Sequence, residues 1–199
     1  RSLILNPKFR KGPLRLGKQL SYVRFLFIAR YPDLFKETIH AELMPPFDEH
    51  GNSPLWEAVG RKFFNMNYHD ADILSRTNKE FIFDLFPSQV IYETLLPLEA
   101  RNAIGKVGKD TLPVKKMLEG IGFSYTDEVD PFDGGPHYRA RTENIQLINK
   151  YMNGKIELVK SLHKDKKRQI MISPKDSKDN EFVCHLTFAE IETENKKTI

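Results

Sequence analysis

The stretch from residue 6 to residue 30 reads NPKFRKGPLRLGKQLSYVRFLFIAR, and it sets the order of the first elements. Its first half gathers five cations around two glycines: Lys8, Arg10, Lys11, Arg15 and Lys18 around Gly12 and Gly17. Leu16, Leu20, Val23 and Phe27 then recur at helical spacing, which predicts a helix that ends at Tyr31-Pro32. The opening RSLILN predicts a short buried strand, so a glycine-containing loop would join a strand to a helix.

A loop of this kind is suited to binding phosphate. The first backbone N–H groups of a helix have no partner inside the helix, and the helix dipole adds positive potential there. Glycines allow a ligand to come close to the backbone, and arginine and lysine donate charge-assisted hydrogen bonds. The sequence therefore predicts a phosphate site made by Arg10, Lys11, Gly12 and Gly17, with an ordinary basic surface loop as the alternative.

The composition is typical of a folded globular protein. Of 199 residues, 40% are hydrophobic and 29% charged, which argues against a disordered chain. The net charge of +4 comes from 31 basic and 27 acidic residues, and this near balance does not indicate a nucleic-acid partner. The longest apolar run, residues 25–29, is too short to cross a bilayer. One cysteine, Cys184, predicts a buried thiol in a reducing compartment, and we expect a cytoplasmic protein without membrane contact.

Strand and helix patterns alternate through the next forty residues. TIHAELM (38–44) predicts a strand, and DEHGNSPLWEAVGRKFF (48–64) predicts a loop followed by a helix. Ser53 is suited to cap this helix, and Pro54 at its first position loses no hydrogen bond. Residues 1–64 therefore predict strand, helix, strand, helix, which is an α/β layer arrangement.

A second set of elements follows. DADILSR and KEFIFDLF predict helices, VIYETLL (90–96) predicts a strand, and Pro113 and Gly120 frame another helix. GFSYTDEV and PHYRART predict strands joined by a turn at FDGGP (132–136). The terminal EFVCHLTFAEIE predicts a strand without an obvious partner, as if a small β-rich appendage were cut short.

Several of these segments resemble the arginine N-succinyltransferase family: LNPKFR, RFLFIA, AEL, DEHGNSPLWEAVGRKFF, AIGKV and FDGGP. The resemblance runs from Arg1 to about Glu143, and residues 48–56 and 132–136 are its most specific parts. It implies an α/β (α+β) fold of the GNAT-like acyl-CoA N-acyltransferase type, with a mixed sheet flanked by helices and a partial tandem repeat. We accordingly expect a first unit at 1–67 that binds coenzyme A, a second unit at 68–148, and a basic linker with a β-rich appendage at 149–199.

The resemblance also implies a reaction. The family transfers succinyl from succinyl-CoA, the acyl donor, to the α-amino group of L-arginine, and ornithine stays open as the acceptor for this chain. Leu3 matches the family position where the strand backbone meets succinyl-CoA. The family section that precedes the position of Arg1 is missing, so we expect the absent strands to come from a longer chain or a partner chain, in an oligomer.

The proton donor implied by the family has no counterpart in this sequence. The family reads Ile-Gly-x-Val-His, whereas Ile104-Gly105-Lys106-Val107 is followed here by Gly108. The catalytic group is therefore unknown, and His50 in the DEHGNSPLW loop is kept as a candidate. The six histidines show no i, i+4 pair and no cysteine at ligand spacing, so no metal site is predicted.

Two other functions are weighed against N-succinyltransfer. Gly108 favours a catalytically degenerate relative or subunit that binds acyl-CoA without turning it over. A basic nucleic-acid-binding module comes third, because the cationic loop lacks interleaved aromatic residues and matches no known nucleic-acid motif.

Overall fold

A computed structural model describes residues 5–10, 12–78, 80, 84, 86–175 and 182–192. By packing, the chain divides into two units: Arg1–Lys36 with Gln146–Ile199, and Glu37–Ile145. The division expected from the sequence, at residues 1–67, 68–148 and 149–199, remains a prediction. Among the described residues, no helix combines the length and the apolar character that a membrane crossing requires.

The described elements combine helices with strands that pair antiparallel, which agrees with the α+β form of the fold expected from the sequence. The helices are α1 (Leu16–Arg30), α2 (Pro54–Ala58), α3 (Gly60–Phe64), α4 (Tyr68–Ser75), α5 (Leu98–Ala103), α6 (Leu112–Glu119) and α7 (Gln146–Asn149). The strands are β1 (Thr38–Glu42), β2 (Ser124–Val129), β3 (Pro136–Arg141), β4 (Arg168–Ile172) and β5 (His185–Ala189). Single 3-10 turns lie at Pro7–Phe9, Pro32–Leu34, Glu93–Leu95 and Thr142–Asn144.

The first unit is organised around α1. Arg15 precedes the helix in the left-handed conformation (φ 47°), and Pro32 ends it two residues after Arg30. The most buried residues of α1 are Ser21, Phe25 and Ile28, whereas the predicted apolar face from Leu16 to Phe27 is half-buried. At the end of the helix, the Arg30 guanidinium donates to the carbonyl oxygen of Pro174 at 3.0 Å, and the Phe27 ring meets Phe182 edge to face.

The terminal strand does have a partner. In this unit β5 pairs antiparallel with β4, which lies upstream in the chain, and Ile170 stands opposite Thr187. The sequence prediction missed β4 because Arg168–Ile172 directly follows a strongly basic stretch. Cys184, predicted to be a buried thiol, is half-buried. Phe188 of β5 is 47% exposed, and the Lys167 ammonium lies 4.3 Å from the centre of its ring.

The second unit contains a three-stranded antiparallel sheet in the order β1-β3-β2. Glu42 of β1 lies opposite His137 of β3, and Ser124 of β2 lies opposite Arg139. The pairing of β2 is irregular between Tyr125 and Val129, where Asp127 adopts a positive φ of 56°. One face of β3 is buried and the other half-exposed, so the sheet covers the core with one side only.

The core of this unit is built around Trp56. Its side chain is fully buried, and its indole N–H donates to the carbonyl oxygen of Met66 at 3.0 Å. Phe64 stacks on the indole with ring centres 5.4 Å apart, and Phe132 lies 4.5 Å away on a tilted plane. Gly60 allows this packing, because a Cβ there would lie 2.3 Å from the indole ring.

The predicted strand at 90–96 is wrong. The N–H groups of Leu95 and Leu96 donate to the carbonyl oxygens of Tyr92 and Glu93, which closes a 3-10 turn. Val90 and Leu95 are 82% and 79% exposed, so their β-branched and apolar character is not used in a sheet. Two other predicted elements, RSLILN and KEFIFDLF, lie mostly outside the described residues.

Candidate active site

The loop that leads into α2 is held by Asp48. Its carboxylate accepts the backbone N–H groups of His50 at 2.9 Å and Asn52 at 2.7 Å, and the Asn52 amide at 3.0 Å. These hydrogen bonds, those from Asn52 first, lower the pKa of Asp48. Ser53 follows and caps α2 as predicted, because its hydroxyl oxygen accepts the Trp56 N–H at 3.2 Å.

The FDGGP turn meets this loop through Asp133. The Asp133 carboxylate accepts the Gly135 N–H at 2.8 Å and the Tyr68 hydroxyl at 3.0 Å. Its backbone carbonyl lies 3.4 Å from the Ser53 hydroxyl, at the start of α2. Gly135 has to be a glycine here, because a Cβ would come within 2.4 Å of the Leu43 carbonyl oxygen.

Burial dominates the titration of Asp133. The side chain is 8% exposed, and desolvation, reinforced by Asp130, raises its pKa from 3.8 to about 6. The hydrogen bonds from Gly135 and Tyr68 oppose this shift without reversing it. Burial, followed by the charge of Asp133, also raises the pKa of Tyr68, so the tyrosine stays a hydrogen-bond donor.

We expect Asp133→Asn to flatten the pH dependence of stability. A carboxyl whose folded pKa is raised stabilises the protein below its unfolded pKa, and this contribution is lost as the pH rises from 3.8 to about 6. The variant should therefore gain up to about 3 kcal/mol over the wild type between pH 4 and pH 7. Urea denaturation across this pH range measures the difference in the free energy of unfolding. A variant whose free energy of unfolding changes with pH as that of the wild type does would contradict the prediction. Asp33→Asn, at an exposed carboxyl, is the control.

The Ile104–Gly108 segment is hydrogen-bonded to the FDGGP turn and to the backbone that follows β1. The Gly105 N–H donates to the Gly134 carbonyl oxygen at 2.9 Å, inside the FDGGP turn. The Gly108 N–H donates to the Met44 carbonyl oxygen at 2.9 Å. Gly108 is buried, and a Cβ on it would lie 2.6 Å from the Pro45 carbonyl oxygen. Its own carbonyl accepts the N–H groups of Thr111 and Leu112, so Gly108 lies in the turn that precedes α6.

The other predicted site residues are not joined to these segments by the hydrogen bonds described above. His50 lies on the exposed side of the Asp48 loop, and its catalytic role stays a prediction. Leu3 and Lys11 lie outside the described residues. Arg10 is exposed, and its Nε donates to the Leu5 carbonyl oxygen at 2.9 Å.

Gly12, in the cationic loop of residues 8–15, and Gly17, in the first turn of α1, border open space. Among the described residues, a Cβ on Gly12 would meet no atom within 4 Å, and one on Gly17 would meet only Leu5 Cδ2, at 3.8 Å. Neither glycine has a positive φ, and the residue near the start of α1 that does is Arg15. Arg15 provides no side-chain cap for the first N–H groups of α1.

The sequence did not predict two groupings of side chains that the structure shows. The pair Tyr68–Asp133 joins residues 65 positions apart, although FDGGP itself marked one partner. The second grouping, His40, Glu42 and His137, forms across β1 and β3. Only the pairing register, which no local pattern reveals, could have shown it.

The mixed α/β architecture, with an open glycine-bearing loop ahead of α1, fits the class of GNAT-like acyl-CoA N-acyltransferases. Residues 1–147 match the family described as arginine N-succinyltransferase beta subunit. The chain belongs to this family, and the resemblance drawn from its sequence segments is confirmed.

Individual relatives agree with this placement. The chain is 44% identical over 153 residues to the arginine N-succinyltransferase subunit beta of Pseudomonas aeruginosa and 38% identical over 165 residues to the arginine N-succinyltransferase of Photorhabdus laumondii. These matches cover 76% and 82% of this chain but 44% and 48% of the relatives. A solved structure of arginine/ornithine succinyltransferase subunit AI from Pseudomonas aeruginosa superposes with a TM-score of 0.61 and 33% identity. This match covers 74% of the present chain and 41% of the solved chain. The present chain therefore spans less than half of the length of these relatives.

Proposed function

We propose that the intact protein transfers succinyl from succinyl-CoA to the α-amino group of L-arginine. The observation that carries this proposal is the joining of three family segments by hydrogen bonds in one unit. Residues 48–56 meet 132–136 through Ser53 and Asp133, and 104–108 meets 132–136 through Gly105 and Gly134. Segments that resemble the family in sequence are thus also packed together.

The reaction needs two proton movements and no covalent enzyme intermediate. The ammonium of arginine loses a proton, the free amine forms the N–C bond, and the C–S bond breaks to release the coenzyme A thiolate, which gains a proton. Each positioned proton transfer contributes about 10²–10⁴-fold in rate. Because Gly108 carries no proton, we propose that the thiolate leaves without a donor at this position. A thiol with a pKa of about 8.5 is a fair leaving group even then.

For the acyl donor, we propose that the cationic loop binds the pyrophosphate of succinyl-CoA. We propose that Leu3, Arg10, Lys11, Gly12 and Gly17 contact the ligand. For Leu3 and Lys11 the proposal rests on the sequence alone. For Arg10, Gly12 and Gly17 the structure adds support. That support is the exposure of all three, the open space at both glycines and the uncapped start of α1. A phosphate at the start of α1 would accept hydrogen bonds from the first N–H groups of the helix and form an ion pair with the Arg10 guanidinium.

We expect Arg10→Met to raise the KM for succinyl-CoA by about 10-fold, because a hydrogen bond to a charged group contributes about 1.5–3 kcal/mol. The methionine keeps much of the side chain's length and removes its charge and donors. Steady-state kinetics with each substrate varied in turn should show little change in the KM for arginine. Lys150→Met, an exposed cation on α7's C-terminal side, is the matched control. A KM for succinyl-CoA that stays at the wild-type value would contradict the placement of the pyrophosphate.

The overall activity is tested by thiol release. Purified intact protein is mixed with succinyl-CoA and either arginine or ornithine, and free coenzyme A and the succinylated product are followed together. Turnover with arginine above the rate without protein supports the proposal. Binding of succinyl-CoA with no turnover would instead identify a degenerate relative, which the buried glycine at 108 favours. Absence of both would reject the family's activity for this chain.

Assembly and location are part of the same proposal. Two of the relatives are named as subunits, so we propose that this protein works in an oligomer. Light scattering on the intact protein measures its mass in solution, and a monomer would contradict this. A cytoplasmic location is proposed because coenzyme A thioesters are made and used inside the cell.

A further inference from the structure

The exposed face of the β1-β3-β2 sheet carries a cluster of nitrogen and oxygen ligands. His40 and Glu42 lie two residues apart on β1 and therefore point to the same face. The strand register places His137 directly opposite Glu42. One ligand atom from each of the three residues lies within 4.8 Å of the other two. Residues 97 positions apart in the chain, His40 and His137, are brought together in this way.

The imidazole of His137 is not satisfied by the protein around it. Its side chain is 16% exposed, and neither ring nitrogen has a hydrogen-bond partner in the described part of the chain. The nearest acidic oxygen, Glu128 Oε2, is 3.8 Å from Nδ1, beyond hydrogen-bonding distance. Buried polar atoms are rarely left unpaired, and an ion that binds there is one of the accepted explanations.

We propose that His40, Glu42 and His137 bind a divalent transition metal ion, with Zn²⁺ as the preferred ion. Two imidazoles and a carboxylate are a ligand set that such ions use, with a position left for water. Zinc–ligand bonds of about 2.0–2.2 Å place ligand atoms roughly 3.5 Å apart. His40 Nε2 and Glu42 Oε1 already lie 3.4 Å apart, and both side chains are exposed, so they have room to move toward His137.

The neighbouring charges are compatible with a cation. Glu128 and Arg139 form an ion pair beside the cluster, so the guanidinium charge is already neutralised. Arg139 Nε also lies 3.4 Å from His40 Nδ1, the longest of its contacts. When a metal takes Nε2 of His40, the proton moves to Nδ1 and Arg139 gives up this contact while keeping Glu128. The metal would tie β1 to β3.

Metal binding by untagged intact protein, stripped with EDTA, tests the proposal. We expect one equivalent of Zn²⁺ by competition with a chromophoric chelator, and visible absorption of low coordination when Co²⁺ is used. In the wild-type protein, the ring nitrogen resonances of His40 and His137 should move on adding Zn²⁺, while those of His69 stay. Zn²⁺ should also raise the Tm, since it binds only the folded state.

Variants separate this site from chance binding. The double variant His40→Gln with His137→Gln should weaken Zn²⁺ binding by at least about 100-fold, whereas His69→Gln, at an exposed position on α4, should bind as the wild type does. His40→Gln alone is exposed and keeps the fold testable if the double variant does not fold. Unchanged Zn²⁺ affinity in the double variant or in His40→Gln, or resonance shifts confined to other histidines, would overturn the proposal. None of these outcomes depends on succinyltransferase activity.

Discussion

Replacing Gly108 with histidine is expected to destabilise the protein instead of supplying a proton donor. The Gly108 N–H is bonded to the Met44 carbonyl oxygen, and this holds the backbone against residues 44–46. A Cβ would lie 2.6 Å from the Pro45 carbonyl oxygen, a backbone atom that cannot rotate away. Overpacking of this kind costs about 1–3 kcal/mol. Urea denaturation should show this loss, and thiol release should show no gain.

The matched control for this prediction is Gly154→Ala. A Cβ on Gly154 would meet no atom of the described residues within 4 Å, and this glycine belongs to no proposed site. Its substitution should therefore leave the free energy of unfolding nearly unchanged. Gly108→Ala should already show most of the loss, because the clash begins at Cβ. A stable Gly108→His variant with newly gained turnover would refute the packing argument and support a chain that lost its proton donor.

Local signals in the sequence were sufficient for the elements that they terminate and cap. Ser53 and Pro54 predicted the start of α2, and the structure shows the Ser53 cap in place. Tyr31-Pro32 predicted the end of α1, because the residue before a proline avoids helical backbone. These predictions succeed because a cap or a break involves residues within four positions of each other.

β2 and β3, which the FDGGP turn joins, form as the sequence predicts, but strand formation was misjudged at two other segments. VIYETLL has the composition of a strand but closes a turn on itself, since the N–H groups of Leu95 and Leu96 find nearby carbonyls. Conversely, Arg168–Ile172 forms β4 because β5 offers it a partner, and nothing in its own residues requires that. Whether a strand forms depends on a second segment that a local pattern does not contain.

The candidate site likewise has one part that the sequence predicted and one part that it did not. The segments around Ser53, Gly105 and Asp133 were marked by their resemblance to the family, and they are joined by hydrogen bonds in the structure. The partner of Asp133, Tyr68, was not marked. Its hydroxyl reaches Asp133 only because α4 packs on the Trp56 cluster, which is a long-range consequence of folding.

Trp56→Ala is expected to have the largest effect on stability of any single truncation in the second unit. The side chain is fully buried against Phe64 and Phe132, and removing it leaves a cavity and an unpaired Met66 carbonyl oxygen. Truncation of a buried aromatic side chain costs about 3–5 kcal/mol, against a total stability of about 5–15 kcal/mol for a typical protein. Urea denaturation measures the loss, and partial unfolding near 37 °C would follow.

Two further variants show why the loss occurs. Trp56→Phe keeps most of the apolar packing but removes the hydrogen bond to Met66, so we expect an intermediate loss of about 1–3 kcal/mol. Phe63→Ala removes an aromatic ring from the neighbouring α3 at a position that is 51% exposed, and we expect about 1 kcal/mol or less. If Phe63→Ala were as damaging as Trp56→Ala, the centre of the core would lie elsewhere. Because Trp56 directly follows the Ser53 loop, Trp56→Ala should also lower thiol release per folded molecule, whereas Phe63→Ala should not.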